Sequence, residues 1–383
     1  MSEIIVENEG KKPNQRLIGF GILIILILIV CIVVAIKGFN NSSNKTLTVY
    51  GAVGGGKENL LADEDFNNIL EEKYGLTVIN DTWSNGKLVK YPVLRADESN
   101  YDFIFFSDQR FYDYYKTPAN KANGEADRET VLNGSLTLNT PIVIYSWDVV
   151  VDALMNENIV TEKDGVYYIT DMEKLLNYIL EGKSWKDIGL ESLYGSINIA
   201  STDPITSSPG ATYYGLLLSI MCGGEVTENN IEQSLPKLKE FYEKSGYMNN
   251  TPADLFDMYL KTGVGAKPMI VDYEKSIIDF ANSNPDEYNQ GKDKIRILYP
   301  VPTIWNSHCI ATLTEDGNKY YDAFNDKDIQ QLAWSKYGFR TGVTGGSYDV
   351  SSVGVSGIPQ TIDTTVSGLR MSIYTRLIEY LGE

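Results

Sequence analysis

The sequence predicts an α/β protein with two lobes that face each other across a cleft. Short apolar runs of strand length alternate with amphipathic helical segments after residue 46, which is typical of a sheet covered by helices on both faces. Four of these strand-like segments end in polar or glycine-rich residues, at Gly54–Gly56, Ser107–Asp108, Ser201–Asp203 and Tyr273–Glu274. Ligands of open α/β sheets lie beyond the carboxyl ends of the strands. The sheet of a single lobe would not normally bring four strand ends so far apart in sequence to one site. Two lobes facing each other across a cleft are therefore expected.

A membrane anchor is expected ahead of the lobes. Residues 17–36 carry no charge and are almost entirely apolar, and as a helix they would span about 30 Å, the thickness of the hydrocarbon core. Lys11, Lys12 and Arg16 precede this segment, so the positive-inside rule places residues 1–16 in the cytoplasm. A cleaved signal peptide is the alternative, although its apolar core is usually shorter. We therefore expect a single-pass protein of the cell membrane, anchored in the lipid bilayer, with a polar tether at 37–45 and an extracellular C-terminal domain.

Composition and charge exclude some functions. With 43% hydrophobic and 22% charged residues the chain has ordinary globular composition, and its net charge of −18 argues against a nucleic-acid partner, whose phosphates need clustered Lys and Arg. One of the three cysteines lies in the apolar segment, so the chain has no disulfide framework. Stability is therefore expected to come from packing.

The individual elements follow from periodicity. Strands are expected at Thr46–Tyr50, Leu76–Ile79, Tyr101–Phe106, Ile142–Trp147, Ile197–Ala200, Pro268–Tyr273, Ile295–Tyr299 and His308–Leu313. Helices are expected around the apolar stripe Phe66–Tyr74 that Gly75 ends, around Met172–Ile179, near 148–158, 228–245 and 253–261, from the Asp326 cap to Gly338, and through Leu369, Ile373 and Leu377. Thr341–Thr361 has no period and is expected to be a long loop.

The segment 201–221 is a polar turn followed by an apolar helix. The first turn of a helix has unpaired N–H groups and the positive end of the helix dipole, so Ser207, Ser208 and Gly210 are well placed to hold a small polar or anionic group. The alternative is that Ser207 or Ser208 only caps the helix.

The segment Gly51–Lys57 superficially matches a phosphate-binding loop. Glu58 stands where such a loop supplies a hydroxyl for magnesium, so a nucleotide hydrolase is disfavoured and a glycine turn that approaches a ligand is preferred.

His308, the only histidine, could belong to a hydrolase, but no G-x-S-x-G motif and no second metal ligand accompany it. We interpret His308 as structural. Trp83, flanked by polar residues, is expected nearer the cleft than the other tryptophans.

In the order of these segments the chain resembles the type II periplasmic and extracellular solute-binding proteins, the group that includes the molybdate- and sulfate-binding proteins. The resemblance covers most of 46–338. It rests on the segments LTVYGAVGG, YDFIFFSD, NTPIVIYSWDVVVDAL, INIASTDPITSSPGATYYGLLLSIM, KPMIVDYEKSIIDF and IQQLAWSKYGFR.

The resemblance implies a first lobe of 46–140 and 300–383, a second lobe of 141–299, and hinge closure around a ligand. The implied ligand-binding residues are Gly54, Gly55, Gly56, Lys57, Ser107, Asp108, Asp203, Ser207, Ser208, Gly210, Ala211, Tyr273 and Glu274. Asp108 and Glu274 would repel an oxyanion unless they turn away from the cleft, so an amine, a metal complex or a sugar remain alternatives.

The expected function is capture of a small polar solute, possibly an oxyanion, for uptake by an ABC permease. No catalysis, resident metal or cofactor is expected. The alternative is a degenerate binding fold that serves as a sensing or interaction subunit of a cell-envelope complex. An extracellular hydrolase would lack a nucleophile–base pair.

Overall fold

The structure, a computed structural model, describes residues 46–90, 95–97, 99–118, 130–343 and 348–383. The expected anchor at 17–36 and the segments on either side of it lie outside these residues. Among the helices of the described ranges, none is long and apolar enough to cross a membrane.

The elements alternate along the chain as the sequence predicts. Up to residue 180 they are β1 (Leu47–Val53), α1 (Glu58–Ala62), α2 (Glu64–Tyr74), β2 (Leu76–Thr82), α3 (Asn85–Lys90), β3 (Phe103–Phe106), α4 (Gln109–Lys116), β4 (Asn133–Trp147), α5 (Asp148–Asn156), β5 (Val160–Lys163), β6 (Val166–Ile169) and α6 (Met172–Leu180). After residue 200 they are α7 (Ser208–Met221), α8 (Ile231–Ser245), α9 (Pro252–Thr262), β7 (Met269–Tyr273), α10 (Lys275–Ser283), α11 (Pro285–Gly291), β8 (Ile295–Pro300), β9 (Thr303–Thr312), α12 (Glu315–Ala323), α13 (Lys327–Tyr337), β10 (Arg340–Thr341), β11 (Thr365–Val366) and α14 (Met371–Gly382).

Strand β4 joins two sheets. In the first sheet β1 pairs in parallel with β2 and β3, β3 pairs antiparallel with β9, and β9 pairs with the first part of β4. The second part of β4 pairs antiparallel with β7 and β8, and β8 continues to β6 and β5. A mixed α/β fold is thereby confirmed, and one continuous 15-residue strand runs from one sheet into the other.

The first sheet is buried on both faces, which explains its uninterrupted apolar strands. Phe103 and Phe105 of β3 belong to one hydrophobic core, whereas Ile104 and Phe106 belong to another. Successive side chains of a strand point to opposite faces, so a strand covered on both faces reads as a continuous apolar run.

The ends of the helices follow from local chemistry. The Asp63 carboxylate accepts a hydrogen bond from the Phe66 N–H at the start of α2, and Gly75 ends the helix with a φ of 61°. Asp326 caps α13 in the same way, and Gly338 ends it in the left-handed conformation. Both helices end at the predicted glycine, and α13 also begins at the predicted cap.

Several segments differ from the expectation. Strand β4 begins at Asn133 rather than at Ile142. Ile197–Ala200 forms no strand and pairs only through a single bridge between Ala200 and Ile270. Strand β9 begins at Thr303 rather than at His308, so the segment expected to separate two strands is itself part of β9. Apolar side chains of α14 lie in the large core of the second sheet, although the sequence division assigns 300–383 to the first lobe.

Candidate ligand-binding site

A cavity of about 1270 Å³ lies between the two sheets and is lined from both sides. On one side its wall is formed by the loop after β1, the start of α3, the end of β3 and part of β9. On the other side it is formed by the N-terminal turn of α7, by α9 and by α10. Three of the four predicted strand ends, those at Gly54–Gly56, Ser107–Asp108 and Tyr273–Glu274, therefore contribute residues to one cavity wall, and residues 205–209, which follow the fourth, also line it.

The loop after β1 contributes a buried lysine. Lys57 is 2% exposed, and its Nζ donates a hydrogen bond of 2.5 Å to the Gly54 carbonyl and lies 4.6 Å from the centre of the Phe105 ring. No carboxylate of the described residues lies within 4 Å of this ammonium group. Burial lowers the pKa of Lys57 to about 7, because the charged form loses its hydration. A negatively charged group bound beside Lys57 would therefore favour its charged form.

Two glycines of this loop could not carry a side chain, Gly54 because a Cβ would clash and Gly56 because of its backbone conformation. A Cβ on Gly54 would lie 2.7 Å from the Asn85 side-chain oxygen and 2.9 Å from the Ser107 hydroxyl. Gly56 has a φ of 89°, which side chains rarely adopt. Gly55 and Gly56 line the cavity, whereas Gly54 is buried behind them.

The N-terminus of α7 is not capped by the side chain expected to cap it. Ser207 occupies the cap position, but its hydroxyl donates to the Thr202 hydroxyl at 2.8 Å and makes no capping bond. The capping interpretation is therefore wrong for Ser207. Ser207, Ser208 and Ala211 line the cavity, so this turn presents hydroxyl groups and the start of a helix to it.

Two residues of this turn predicted to bind the ligand, Asp203 and Gly210, instead stabilise the turn itself. The Asp203 carboxylate accepts a hydrogen bond from the Ile205 N–H at 2.9 Å and holds the turn. Gly210 packs so closely on the preceding loop that a Cβ would lie 2.2 Å from the Thr202 carbonyl oxygen. Neither residue lines the cavity.

Strand β7 brings two polar side chains to the cavity wall. Tyr273 is 7% exposed, and its hydroxyl has no hydrogen-bond partner; the Thr212 hydroxyl is near enough to affect its pKa without the geometry of a hydrogen bond. Asp272 is 2% exposed, and burial raises its pKa to about 6. Tyr273 is therefore an unsatisfied hydroxyl that a solute could use.

The two carboxylates expected to disfavour an anion are both neutralised. Asp108 receives hydrogen bonds from the Arg110 guanidinium and lines a second cavity of about 730 Å³ instead of the main one. Glu274 is fully buried and accepts from Arg340 at 2.6 and 2.7 Å and from the Tyr299 hydroxyl at 2.6 Å. Neither of these two carboxylates lines the main cavity, whose acidic lining residues are instead Glu58, Asp257, Asp272, Asp279, Glu287 and Glu379.

Sequence reasoning missed several polar residues of the wall, among them His308 and Asn306. His308, interpreted as structural, is 2% exposed and lines the cavity with its Nδ1 atom unpaired. Burial, with the nearby charges of Lys57 and Lys275, holds the pKa of His308 well below its ordinary value. Asn306 also lines the cavity. Strand alternation could have found His308, because it lies two residues from Asn306 on the same face of β9.

Trp83 is not part of the cavity wall. It packs against the Tyr101 ring at a centroid separation of 6.1 Å and lies under the Lys87 ammonium group, at one of the cores of the first sheet. Of the predicted residues, those that line the main cavity are Gly55, Gly56, Lys57, Ser107, Ser207, Ser208, Ala211 and Tyr273. Those that do not are Gly54, Asp108, Asp203, Gly210 and Glu274.

Within the described ranges, no group of three or more His, Cys, Asp and Glu residues is placed to hold a metal ion. The sequence also finds no counterpart among the family models or the curated proteins with which it was compared.

Solved structures share the fold of the chain at TM-scores of 0.51 to 0.54 and resemble it weakly in sequence. An ABC transporter protein from Clostridium perfringens has a TM-score of 0.54 and 15% identity, covering 87% of this chain and 98% of that one. The Trichodesmium protein IdiA (FutA), solved with iron and citrate, has a TM-score of 0.54 and 12% identity over 88% and 98% of the two chains. A two-component system protein that mediates signal transduction has a TM-score of 0.51 and 14% identity over 86% and 99%. The described part of the chain therefore has the two-lobed α/β fold of the periplasmic solute-binding proteins.

Proposed function

We propose that the protein is an extracellular solute-binding protein without catalytic activity, which captures a small polar solute between its lobes for uptake by an ABC permease. The observation that carries the proposal is the cavity itself, which is lined from both sheets and contains buried polar groups without partners. Such convergent polar groups in a concave site are the usual mark of a small-molecule site.

The narrower form of the proposal is an oxyanion, as in the molybdate- and sulfate-binding proteins. Lys57 has no carboxylate partner, and Asp108 and Glu274 are engaged by arginines. The hydroxyl groups of Ser208 and Tyr273 add donors for an anion's oxygens. A charge-assisted hydrogen bond to a buried cation is stronger than a neutral one, which favours such a solute.

The proposal includes a location and a domain division. We place the lobes outside the cell on a membrane anchor at 17–36, with 46–140 and 300–383 in the first lobe and 141–299 in the second. The packing of α14 in the large core favours moving that helix to the second lobe. Hinge closure would then act through the crossings at Thr140–Tyr145 and Tyr299–Ile304.

A thermal-shift screen of the full chain in detergent tests the proposal. Oxyanions, sugars, amino acids and metal ions are the probes, and a true ligand at 100 times its dissociation constant stabilises the folded state by about 2.7 kcal/mol. No stabilisation by any probe would contradict solute binding. The double variant Ser207→Ala, Ser208→Ala tests the site, because a solute that contacts α7 should bind it more weakly.

The second candidate function is a sensing or interaction subunit of a cell-envelope complex. The observation in its favour is the similar fold of a two-component system protein that mediates signal transduction. An interaction subunit would not be stabilised by any of the probes. A sensor would be stabilised by its solute but would have no permease as a partner. Solute-dependent pull-down from detergent-solubilised membranes distinguishes a permease from a signalling partner.

A further inference from the structure

His308 carries a buried hydrogen-bond donor with no acceptor. Its Nε2 lies 3.3 Å from the Asn306 side-chain nitrogen, and that nitrogen also donates to the Ser107 carbonyl at 2.9 Å. The contact with Ser107 fixes the orientation of the Asn306 amide, because only an NH₂ group can face a carbonyl oxygen. The Asn306 nitrogen is therefore a donor, and His308 Nε2 must accept from it.

A neutral imidazole has one donor and one acceptor nitrogen. Since Nε2 accepts, the proton of His308 lies on Nδ1, which is buried and has no hydrogen-bond partner among the described residues. An unsatisfied buried donor is costly and rare in folded proteins, so a group that accepts from it is expected.

The same part of the wall contains other donors. The edge of the His308 ring faces the glycine loop, because a Cβ on Gly56 would lie 3.9 Å from His308 Cε1. Lys57 has one hydrogen bond, to the Gly54 carbonyl, which leaves two of its three donors unused. The aromatic rings of Phe105 and Phe339 meet the imidazole in T-shaped arrangements, at centroid separations of 6.5 and 5.1 Å, and carry no oxygen or nitrogen acceptor.

We infer that His308 is a ligand-contacting residue that donates its Nδ1–H, beside the Lys57 ammonium, to an oxygen of an acceptor-only group such as a phosphate, sulfate or carboxylate. This inference rests on the proposed function. It assigns a specific donor pair on the first-sheet wall, and it replaces the structural role that the sequence suggests for the only histidine of the chain.

The affinity test uses two substitutions at one position. His308→Leu removes the donor, whereas His308→Asn keeps an N–H close to the place of Nδ1. Inorganic phosphate, sulfate and citrate are the anionic probes, and galactose and putrescine are the neutral and cationic ones. Calorimetry on the full chain in detergent should show binding of an anion that falls about tenfold or more in His308→Leu and is largely restored in His308→Asn.

A second readout is the protonation state of the imidazole, which can first be measured in the free protein. Because the chain has one histidine, the imidazole nitrogens of ¹⁵N-labelled protein give a single set of signals. We expect protonated Nδ1 and unprotonated Nε2 in the free protein, and a shift of the Nδ1 signal when the bound anion saturates the site. A proton on Nε2 in the free protein would overturn the inference.

The outcomes separate the inference from the function on which it rests. If only galactose or putrescine binds, or if an anion binds His308→Leu as tightly as the unchanged protein, solute binding stands and the role of His308 is wrong. If none of the five probes nor any solute of the wider screen binds, the proposed function fails and the inference fails with it.

Discussion

At the scale of single residues, Arg340 and Glu274 form the most deeply buried ion pair described. Their side chains are 1% and 0% exposed, and Arg340 also donates to the Pro359 carbonyl at 2.8 Å. Arg340→Leu would leave the Glu274 charge buried without its partner. We expect the free energy of unfolding to fall by about 3–5 kcal/mol, measured by chemical denaturation.

The matched control is Arg370→Leu. Arg370 is 82% exposed and lies 3.6 Å from Glu225, so solvent already screens its charge. We expect this substitution to change the free energy of unfolding by less than about 0.5 kcal/mol. Equal effects of the two substitutions would show that Arg340 is not the buried partner described above.

Lys57 predicts a dependence of stability on pH. Its pKa is lowered to about 7 in the folded protein and lies near 10.4 in an unfolded chain. Between these values the unfolded chain binds a proton that the folded protein does not, so the contribution of Lys57 to the free energy of unfolding rises with pH by about 1.4 kcal/mol per unit. Below pH 7 the charged form is buried, and its cost is greatest.

Denaturation at about pH 7 and about pH 9 measures this term as the difference between the unchanged protein and Lys57→Met. We expect the stability of the unchanged protein relative to the variant to rise by about 2 kcal/mol over that interval. Lys261→Met is the control, because Lys261 is exposed and the Asp257 carboxylate at 2.7 Å raises its pKa. A relative stability of Lys57→Met that does not vary with pH would contradict the lowered pKa.

At the scale of elements, the position of α7 depends on Gly210. A Cβ there would lie 2.2 Å from the Thr202 carbonyl oxygen, a backbone atom that cannot move without moving the turn. Gly210→Ala should therefore lower the free energy of unfolding by about 1–3 kcal/mol and weaken solute binding.

The control for Gly210→Ala is Gly265→Ala. Gly265 is exposed, lies outside the wall of the main cavity and has no atom of the described residues within 4 Å of an added Cβ, so alanine should be neutral or stabilising by up to about 1 kcal/mol. Thermal denaturation of both variants, followed by titration with a solute that binds the unchanged protein, measures the two effects. If Gly210→Ala bound the solute with unchanged affinity, the position of α7 would not determine solute binding.

Elements with strong local signals are the ones that sequence reasoning predicts well. The stripe of α2 between Asp63 and Gly75 carries its own cap and stop, and β3 reads as apolar because cores cover both of its faces. The sequence does not indicate the start of β9 at Thr303 because Pro300 and Pro302 suggest a break, whereas pairing with β4 reaches Trp305 and pairing with β11 covers Thr303 and Ile304. Such pairing is a long-range effect that no local pattern reports.

The candidate site is harder to predict than the fold, for a physical reason. Sequence spacing indicates which loops lie at strand ends, and it found Lys57, Ser207 and Tyr273 at the cavity wall. It does not indicate which charged groups neutralise each other, since Glu274 meets Arg340 from a distant part of the chain. The same limit hid His308, whose unpaired nitrogen depends on the orientation of Asn306.

At the scale of the whole molecule, a solute held between two lobes should protect both walls of the cavity at once. The loop at 55–57 follows a strand of the first sheet, whereas the turn at 207–211 begins α7, which packs in the core of the second sheet. Residues of both segments line one cavity. β4 runs from one sheet into the other, so closure bends a connection without separating the sheets. We expect a saturating solute that stabilises the protein to slow amide hydrogen exchange in peptides from both segments.

Exchange measured by mass spectrometry, with and without solute, tests this expectation in the full chain. The short helical turn at Trp185–Ile188 lies outside the cavity wall and provides the internal control, because a local effect of binding should leave it unchanged. Protection confined to the 55–57 side would mean that the solute binds one lobe only. In that case closure could not be coupled to capture, because a ligand shifts a conformational equilibrium only by its differential affinity for the two states.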